Sequence, residues 1–216
     1  MDKKKVAIIL AGSGVYDGSE IHETSLAMYA LAKNEISYQC FAPDIPQAHV
    51  INHLNGEIME GNRNVLIESA RIARGKIYEL SDLWETEYDA ILIPGGFGAA
   101  KNLCNYAFKQ DQMSVHIAVE RVIKIFHAAG KPIGAMCIAP IIIAKVLGAK
   151  VTIGQDPETA KSVESLGGKH ENKKATDITI DEQNKVVTTP GYMLATNPYE
   201  IGEGAEAMVE AMKGMM

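Results

Sequence analysis

Short apolar runs alternate with stretches of helical periodicity along the whole chain, and this alternation constrains the fold more than any other feature. Strands buried on both faces read as unbroken apolar runs, and helices placed between them favour a parallel sheet. Val6 to Ala11 is the first such run, followed by a helix over about Ser19 to Asn34 and a strand at Ser37 to Ala42. Residues 43–60 carry Pro43, Pro46, Asn52, Asn55 and Gly56 without periodicity and read as an excursion before a helix at about Arg63 to Arg74. Ala90 to Ile93 is the next strand, with Pro94-Gly-Gly-Phe-Gly98 as its exit turn. Ala118, Val119, Val122 and Phe126 then recur at helical spacing up to a stop at Gly130, and Pro132 to Met136 is a further strand. A helix to about Leu147, a strand at Val151 to Ile153 and a helix from Pro157 to Leu166 follow. Asp177 to Ile180 and Lys185 to Thr189 flank a short polar turn as a late β-hairpin, and Ala205, Met208, Val209 and Met212 make one face of a closing helix. The expectation is an α/β protein with a mostly parallel sheet. With no repeat, low-complexity tract or linker, it is read as a single domain over residues 1–216.

Composition narrows the class of function. A net charge of -6 argues against a nucleic-acid or anionic-membrane partner, and no apolar stretch is long enough to span a bilayer. Lys3, Lys4 and Lys5 precede a strand rather than a signal-peptide core. Cys40, Cys104 and Cys137 are odd in number and lack CxxC spacing, which points to a reduced, cytoplasmic setting without disulfides. Gly12-x-Gly14-x-x-x-Gly18 departs from the dinucleotide fingerprint, so no nucleotide cofactor is assigned. His49, His53 and Glu57 would align on a helix as metal ligands, but the segment holds helix-weakening residues and no HExxH, so no metal is assigned either.

The chemistry concentrates at Cys137. An apolar run enters it, a helical run leaves it, and Ala135 and Ala139 occupy the flanking positions where a tight strand-to-helix turn leaves no room for larger side chains. A lone cysteine is ordinarily a small buried hydrophobe. In this turn it reads as a nucleophile, with the helix N-terminus favouring its thiolate. The carboxyl ends of parallel strands gather functional groups, so the loops after Val6–Ala11, Ala90–Ile93 and Pro132–Met136 should meet. Gly95 and Gly96 are then either a simple tight turn or, with the amide of Ile138, an oxyanion site. In the first loop, Asp17 and Glu20 fit a capping box, leaving Glu23 without a local backbone duty. Glu23 is therefore the candidate acid/base partner of Cys137, its carboxyl raised in pKa if buried beside the thiol.

These residues resemble the class I glutamine amidotransferase-like, DJ/PfpI superfamily, and within it the ElbB-type proteins labelled isoprenoid-biosynthesis or glyoxalase-like. The similarity runs nearly end to end through Ser13 to Glu23, Cys40 to Asp44, Val50 to Leu54, Arg63 to Glu68, Pro94 to Leu103, Met136 to Pro140 and Thr188 to Met193. It implies a flavodoxin-like three-layer sandwich, a homodimer, and no metal or organic cofactor. The family's elbow cysteine falls on Cys137, its helix-borne glutamate on Glu23 and its oxyanion glycines on Gly95 and Gly96. Many relatives carry a histidine where this chain reads Gly154-Gln-Asp156, and amidotransferases proper carry a late His-x-Glu where this chain has His170 followed directly by Glu171. A Cys-His-acid triad is thus incomplete. The resemblance implies a glyoxalase-like activity converting small dicarbonyls such as glyoxal to 2-hydroxy acids through a cysteine hemithioacetal. The alternatives are a non-catalytic redox-sensing or interaction protein and an amidotransferase-like subunit.

Overall fold

The first strand, β1 (Lys5–Ile9), is buried on both faces, and its side chains divide between two cores. Val6 and Ile8 enter one apolar cluster, Ala7 and Ile9 the other. This is the period of two that an extended chain imposes, here with apolar residues on both sides because helices cover both faces. The computed structural model describes residues 3–216. Around β1 the chain places α1 (Ile21–Lys33), β2 (Ser37–Ala42), α2 (Val65–Ile72), β3 (Ile77–Glu79), β4 (Ala90–Ile93), α3 (Tyr106–Lys109), α4 (Ile117–Ala128) and β5 (Ile133–Met136). It continues through α5 (Pro140–Leu147), β6 (Lys150–Val151), α6 (Pro157–Ser165), β7 (Lys169–His170), β8 (Thr179–Asp181), β9 (Val186–Thr189) and α7 (Pro198–Met215).

The main sheet has seven strands in the order β3-β2-β1-β4-β5-β9-β8, parallel except for β8, which returns antiparallel to β9 as the expected hairpin. Helices α1, α2 and α7 supply Ala27, Leu31, Val65 and Met208 to the cluster on one face. On the other, α4 and α5 supply Phe126, Val122, Ile141 and Ile142. The result is the three-layer α/β sandwich that the alternation requires. Strand order reverses between β1 and β4, from which the chain continues toward opposite edges of the sheet, and this switch point places a crevice at the carboxyl edge.

Several local expectations change. Asp17 does not cap α1. Glu20 does, its side chain accepting from the Glu23 N–H at 2.7 Å, while the Asp17 carboxylate accepts from the Ile51 N–H at 2.7 Å. Residues 43–62 form no helix, so His49, His53 and Glu57 do not align as ligands; an isolated bridge joins Ile51 to Ile58, and His53 Nε2 accepts from the Tyr16 N–H. The excursion is thereby tied to the loop after β1. The strand at 150–151 leaves the main sheet and pairs with β7 in a separate two-stranded sheet, because the place beside β5 belongs to β9.

The loops after β1 and β4 are held in backbone contact. The Gly98 N–H donates to the Gly18 carbonyl at 2.9 Å, and a Cβ at Gly98 would sit 2.5 Å from Gly18 Cα and 2.6 Å from the Ala11 carbonyl oxygen. Backbone on both sides cannot give way as a flexible side chain would. Gly98→Ala is therefore expected to cost about 1–3 kcal/mol through overpacking, read as a lower urea midpoint at unchanged m-value. An unchanged midpoint would show that the two loops are not held this closely.

Candidate active site

Strand β5 ends at Met136, and the next residue turns sharply. Cys137 has φ of +60°, in the left-handed region that costs a residue with a Cβ about 1–3 kcal/mol. The surroundings enforce it: the Cys137 N–H donates to the Thr189 carbonyl at 3.0 Å, and the Ala139 N–H closes the turn onto the Met136 carbonyl at 3.0 Å. Ala135 and Ala139 are wholly buried in the core, as the elbow geometry demands.

Glu23 lies in the first turn of α1 and is completely buried. Its Oε2 accepts from the Gly95 N–H at 2.9 Å and its Oε1 from the Tyr192 N–H at 2.9 Å, and the carboxyl and the Cys137 sulfur lie side by side over Gly95. Such close approach requires glycine. A Cβ at Gly95 would lie 2.3 Å from Cys137 Cβ and 2.6 Å from Glu23 Oε2, and one at Gly191 would lie 2.5 Å from Glu23 Oε1. The structure therefore brings Glu23, Gly95, Gly96, Cys137 and Ile138 together, but redistributes their contacts. The Gly95 amide is occupied by Glu23 rather than open to an oxyanion. The Gly96 and Ile138 amides are the ones that face the sulfur and favour its ionised form.

Electrostatics revise the expectation of an exposed, helix-activated thiolate. Cys137 is only 8% exposed, and burial pushes its thiol well above the ordinary range, with the neighbouring Glu23 charge adding to the effect against the Gly96 and Ile138 amides. Burial also pushes the Glu23 carboxyl up to about 7, opposed by the Tyr192 amide, assisted by the Glu20 charge, and opposed further by Cys137 and the Gly95 amide. The pair is thus set to lose its first proton near neutrality and its second far above it.

A cavity of about 410 Å³ opens over the sulfur. It is lined by residues from the loops after β1, β4, β5 and β9 and from α3 and α6, including Val15, Glu20, Phe97, Tyr106, Thr159 and Tyr192. A separate hollow of about 500 Å³ beside Cys40, Arg74 and Lys76 contains none of the residues of the Glu23–Cys137 site. No histidine is among the residues lining the cavity over Cys137. His170 sits on β7, accepting at Nε2 from the Ile153 N–H. Sequence reasoning assigned no role to Gly191 and Tyr192. Tyr192 gives Glu23 its second amide, lines the cavity, and pairs its hydroxyl with His22 Nδ1 at 2.7 Å. The available signal was the Pro190-Gly191 turn directly after a β-rich run.

Sheet order, elbow and buried glutamate together define a protein of the DJ-1/PfpI family, and the chain belongs to it, with residues 4–192 matching the family. The chain is 50% identical over 216 aligned residues to the human "Glutamine amidotransferase-like class 1 domain-containing protein 3, mitochondrial", covering 95% of this chain and 81% of that one. It is 48% identical over 219 residues to the rat "ES1 protein homolog, mitochondrial", covering 96% and 82%. Among solved structures it superimposes with a TM-score of 0.92, at 34% identity and 98% and 99% coverage, on an isoprenoid biosynthesis protein with an amidotransferase-like domain from Ehrlichia chaffeensis. The ElbB-type resemblance therefore stands. The cytoplasmic expectation does not, because the human and rat relatives, about half identical over most of the chain, are named mitochondrial. Three free, buried thiols do not single out the cytosol.

The raised Glu23 pKa carries a consequence for stability. Between the ordinary value of 4.5 and about 7, the unfolded chain has released this proton while the folded chain retains it. Stability therefore falls as pH rises through that window, by on the order of 3 kcal/mol. In Glu23→Gln this component should vanish, and the variant should be less stable at low pH because an amide NH₂ would confront a backbone N–H. Urea unfolding from pH 4.5 to 8 checks both; parallel pH profiles for the two proteins would refute the buried acid.

Proposed function

We propose that this protein is a cofactor-independent glyoxalase-like enzyme, converting small dicarbonyls to 2-hydroxy acids through Cys137. The observation that carries this reading is the buried Glu23–Cys137 pair, with the Gly96 and Ile138 amides beside the sulfur. The pair offers one nucleophile, one group able to move a proton near neutrality, and donors for one developing oxyanion.

The chemistry balances without an external oxidant. The Glu23 carboxylate takes the thiol proton as sulfur bonds to the aldehyde carbon, and the carbonyl electron pair moves onto oxygen beside the Gly96 and Ile138 amides. Glu23 returns the proton to that oxygen, giving a hemithioacetal. It then removes the proton from the same carbon, leaving an enediolate; the hydroxyl proton passes from the first oxygen to its neighbour as Glu23 delivers the carbon-derived proton to the adjacent carbon. One carbon is oxidised to the thioester level and its neighbour reduced to an alcohol. Water attacks the thioester, the C–S bond breaks, and the 2-hydroxy acid leaves as the thiol is reprotonated.

The alternatives fit less well. Glutamine carries an ammonium and a carboxylate, and the cavity wall offers no cation for the latter and no histidine for acyl transfer. An oxidation sensor relies on an accessible, low-pKa thiol, whereas this sulfur is enclosed and its pKa raised.

Steady-state kinetics on glyoxal and methylglyoxal test the proposal. Cys137→Ala should abolish turnover, and Glu23→Gln should lower kcat by about 10²–10⁴-fold, the usual worth of a positioned acid/base. With Glu23 acting first as the base, kcat/KM should rise with pH to half its plateau near the Glu23 value of about 7. Full activity in Cys137→Ala would overturn the mechanism.

A further inference from the structure

We infer that the site selects uncharged aldehydes bearing a bulky apolar substituent and rejects those bearing a carboxylate. The inference builds on the reading of Cys137 as a carbonyl nucleophile and names the class of carbonyl compound.

Away from the sulfur the cavity wall is mostly apolar, with Val15, Phe97, Ala100, Ile138 and Met193 beside the polar groups of Thr159 and Tyr192. In about 410 Å³ of such space glyoxal, the smallest dialdehyde, would leave most of the wall bare. An alkyl or aryl substituent would cover it, and each methylene so buried contributes about four-fold in affinity.

The charges point the same way. Glu20 is the one ionisable carboxylate on the wall; it is 8% exposed, with Oε2 occupied by the Glu23 N–H, and no Lys, Arg or His joins it there. The nearby ammonium of Lys101 donates to the Tyr16 carbonyl at 2.9 Å and lies 5.5 Å from the Phe97 ring centroid, outside the lining. The Gly96 and Ile138 amides are directed to the reacting centre. A second anionic group on the substrate would therefore lose its water, gain no cation, and face Glu20 and the charge of the Glu23–Cys137 pair.

Alkylation of Cys137 reads this selectivity without requiring turnover. Iodoacetamide, iodoacetate and N-phenyliodoacetamide each form the same S–C bond with loss of iodide and of the thiol proton, and differ in charge and apolar bulk. Rates at Cys137, measured by peptide mass spectrometry and divided by the rate of each reagent with glutathione, give the contribution of the cavity. The phenyl amide should exceed iodoacetamide by about ten-fold, from burial of the ring. Iodoacetamide should exceed iodoacetate by about 10²-fold, from uncompensated charge. Ala107, exposed on α3 and part of the wall, supplies a gain-of-function control. Ala107→Lys should raise the ratio of the iodoacetate rate to the iodoacetamide rate by about ten-fold.

Equal normalised rates for all three reagents, or no gain for iodoacetate over iodoacetamide in Ala107→Lys, would overturn the inference. Turnover separates it from the proposed function. If the alkylation order holds but no dicarbonyl is converted, the glyoxalase reading fails and the apolar, anion-rejecting site stands. If glyoxal is turned over with higher kcat/KM than phenylglyoxal, the reaction stands and the inference fails.

Discussion

The site depends on a carboxyl group that has been taken completely out of water. Burying an unpaired carboxylate is prohibitive, so Glu23 has to be neutral, hydrogen-bonded, or both. Its two oxygens accept from amides belonging to different loops, Gly95 after β4 and Tyr192 after β9, and the carboxyl lies beside the sulfur of Cys137 after β5. One side chain on α1 therefore joins the ends of three strands. The joint exists only because Gly95 and Gly191 have no side chain to hold their backbones away. Burial outweighs the two amide bonds, and the balance leaves the group near neutrality instead of in the ordinary carboxylate range.

Cys137 is held in place by the same economy of space. Its left-handed backbone is costly, and the surroundings hold it: two buried alanines flank it, the Thr189 carbonyl accepts from its N–H, and Gly95 packs closely against its Cβ. Held this way, the sulfur faces the cavity and two backbone amides while remaining almost fully enclosed. Enclosure costs the thiolate its solvation. The helix beyond the elbow and the two amides do not offset the burial of this thiol.

The layered fold and the elbow were legible because both follow from local rules. Apolar runs alternate with helical periods, and small residues flank a cysteine at a strand-to-helix junction. Glu23 was legible by elimination, since its neighbours had plausible capping duties, although Glu20 rather than Asp17 performs the cap. The assignment of individual amides was not legible. Whether the Gly95 N–H meets a side chain or an oxyanion depends on how far α1 leans over β4, a tertiary quantity with no local signature. Asp17 was misread for a related reason. Its partner is the Ile51 amide in a segment without periodicity, and nothing nearby in sequence announces that contact. Compartment was not legible either, because free, buried cysteines do not single out a location.

A cysteine protease or amidase uses histidine because its proton must travel from nucleophile to leaving group across the scissile bond, and an imidazole with two nitrogens spans that distance while held by a third residue. The enclosure around Cys137 contains no such relay among its lining residues. Beside the sulfur lies one fully buried acid, Glu23, fixed at both oxygens and pushed by burial up to about 7. An acid pinned in this way cannot follow a departing group, but it can take a proton from one atom and return it to the next. Reactions whose proton transfers are confined to adjacent atoms, such as aldehyde addition followed by a shift between neighbouring carbons, match that restricted reach better than expulsion of an amine does. The missing histidine is thus a statement about geometry as much as about basicity, and it separates this site from hydrolytic triads built on similar elbows.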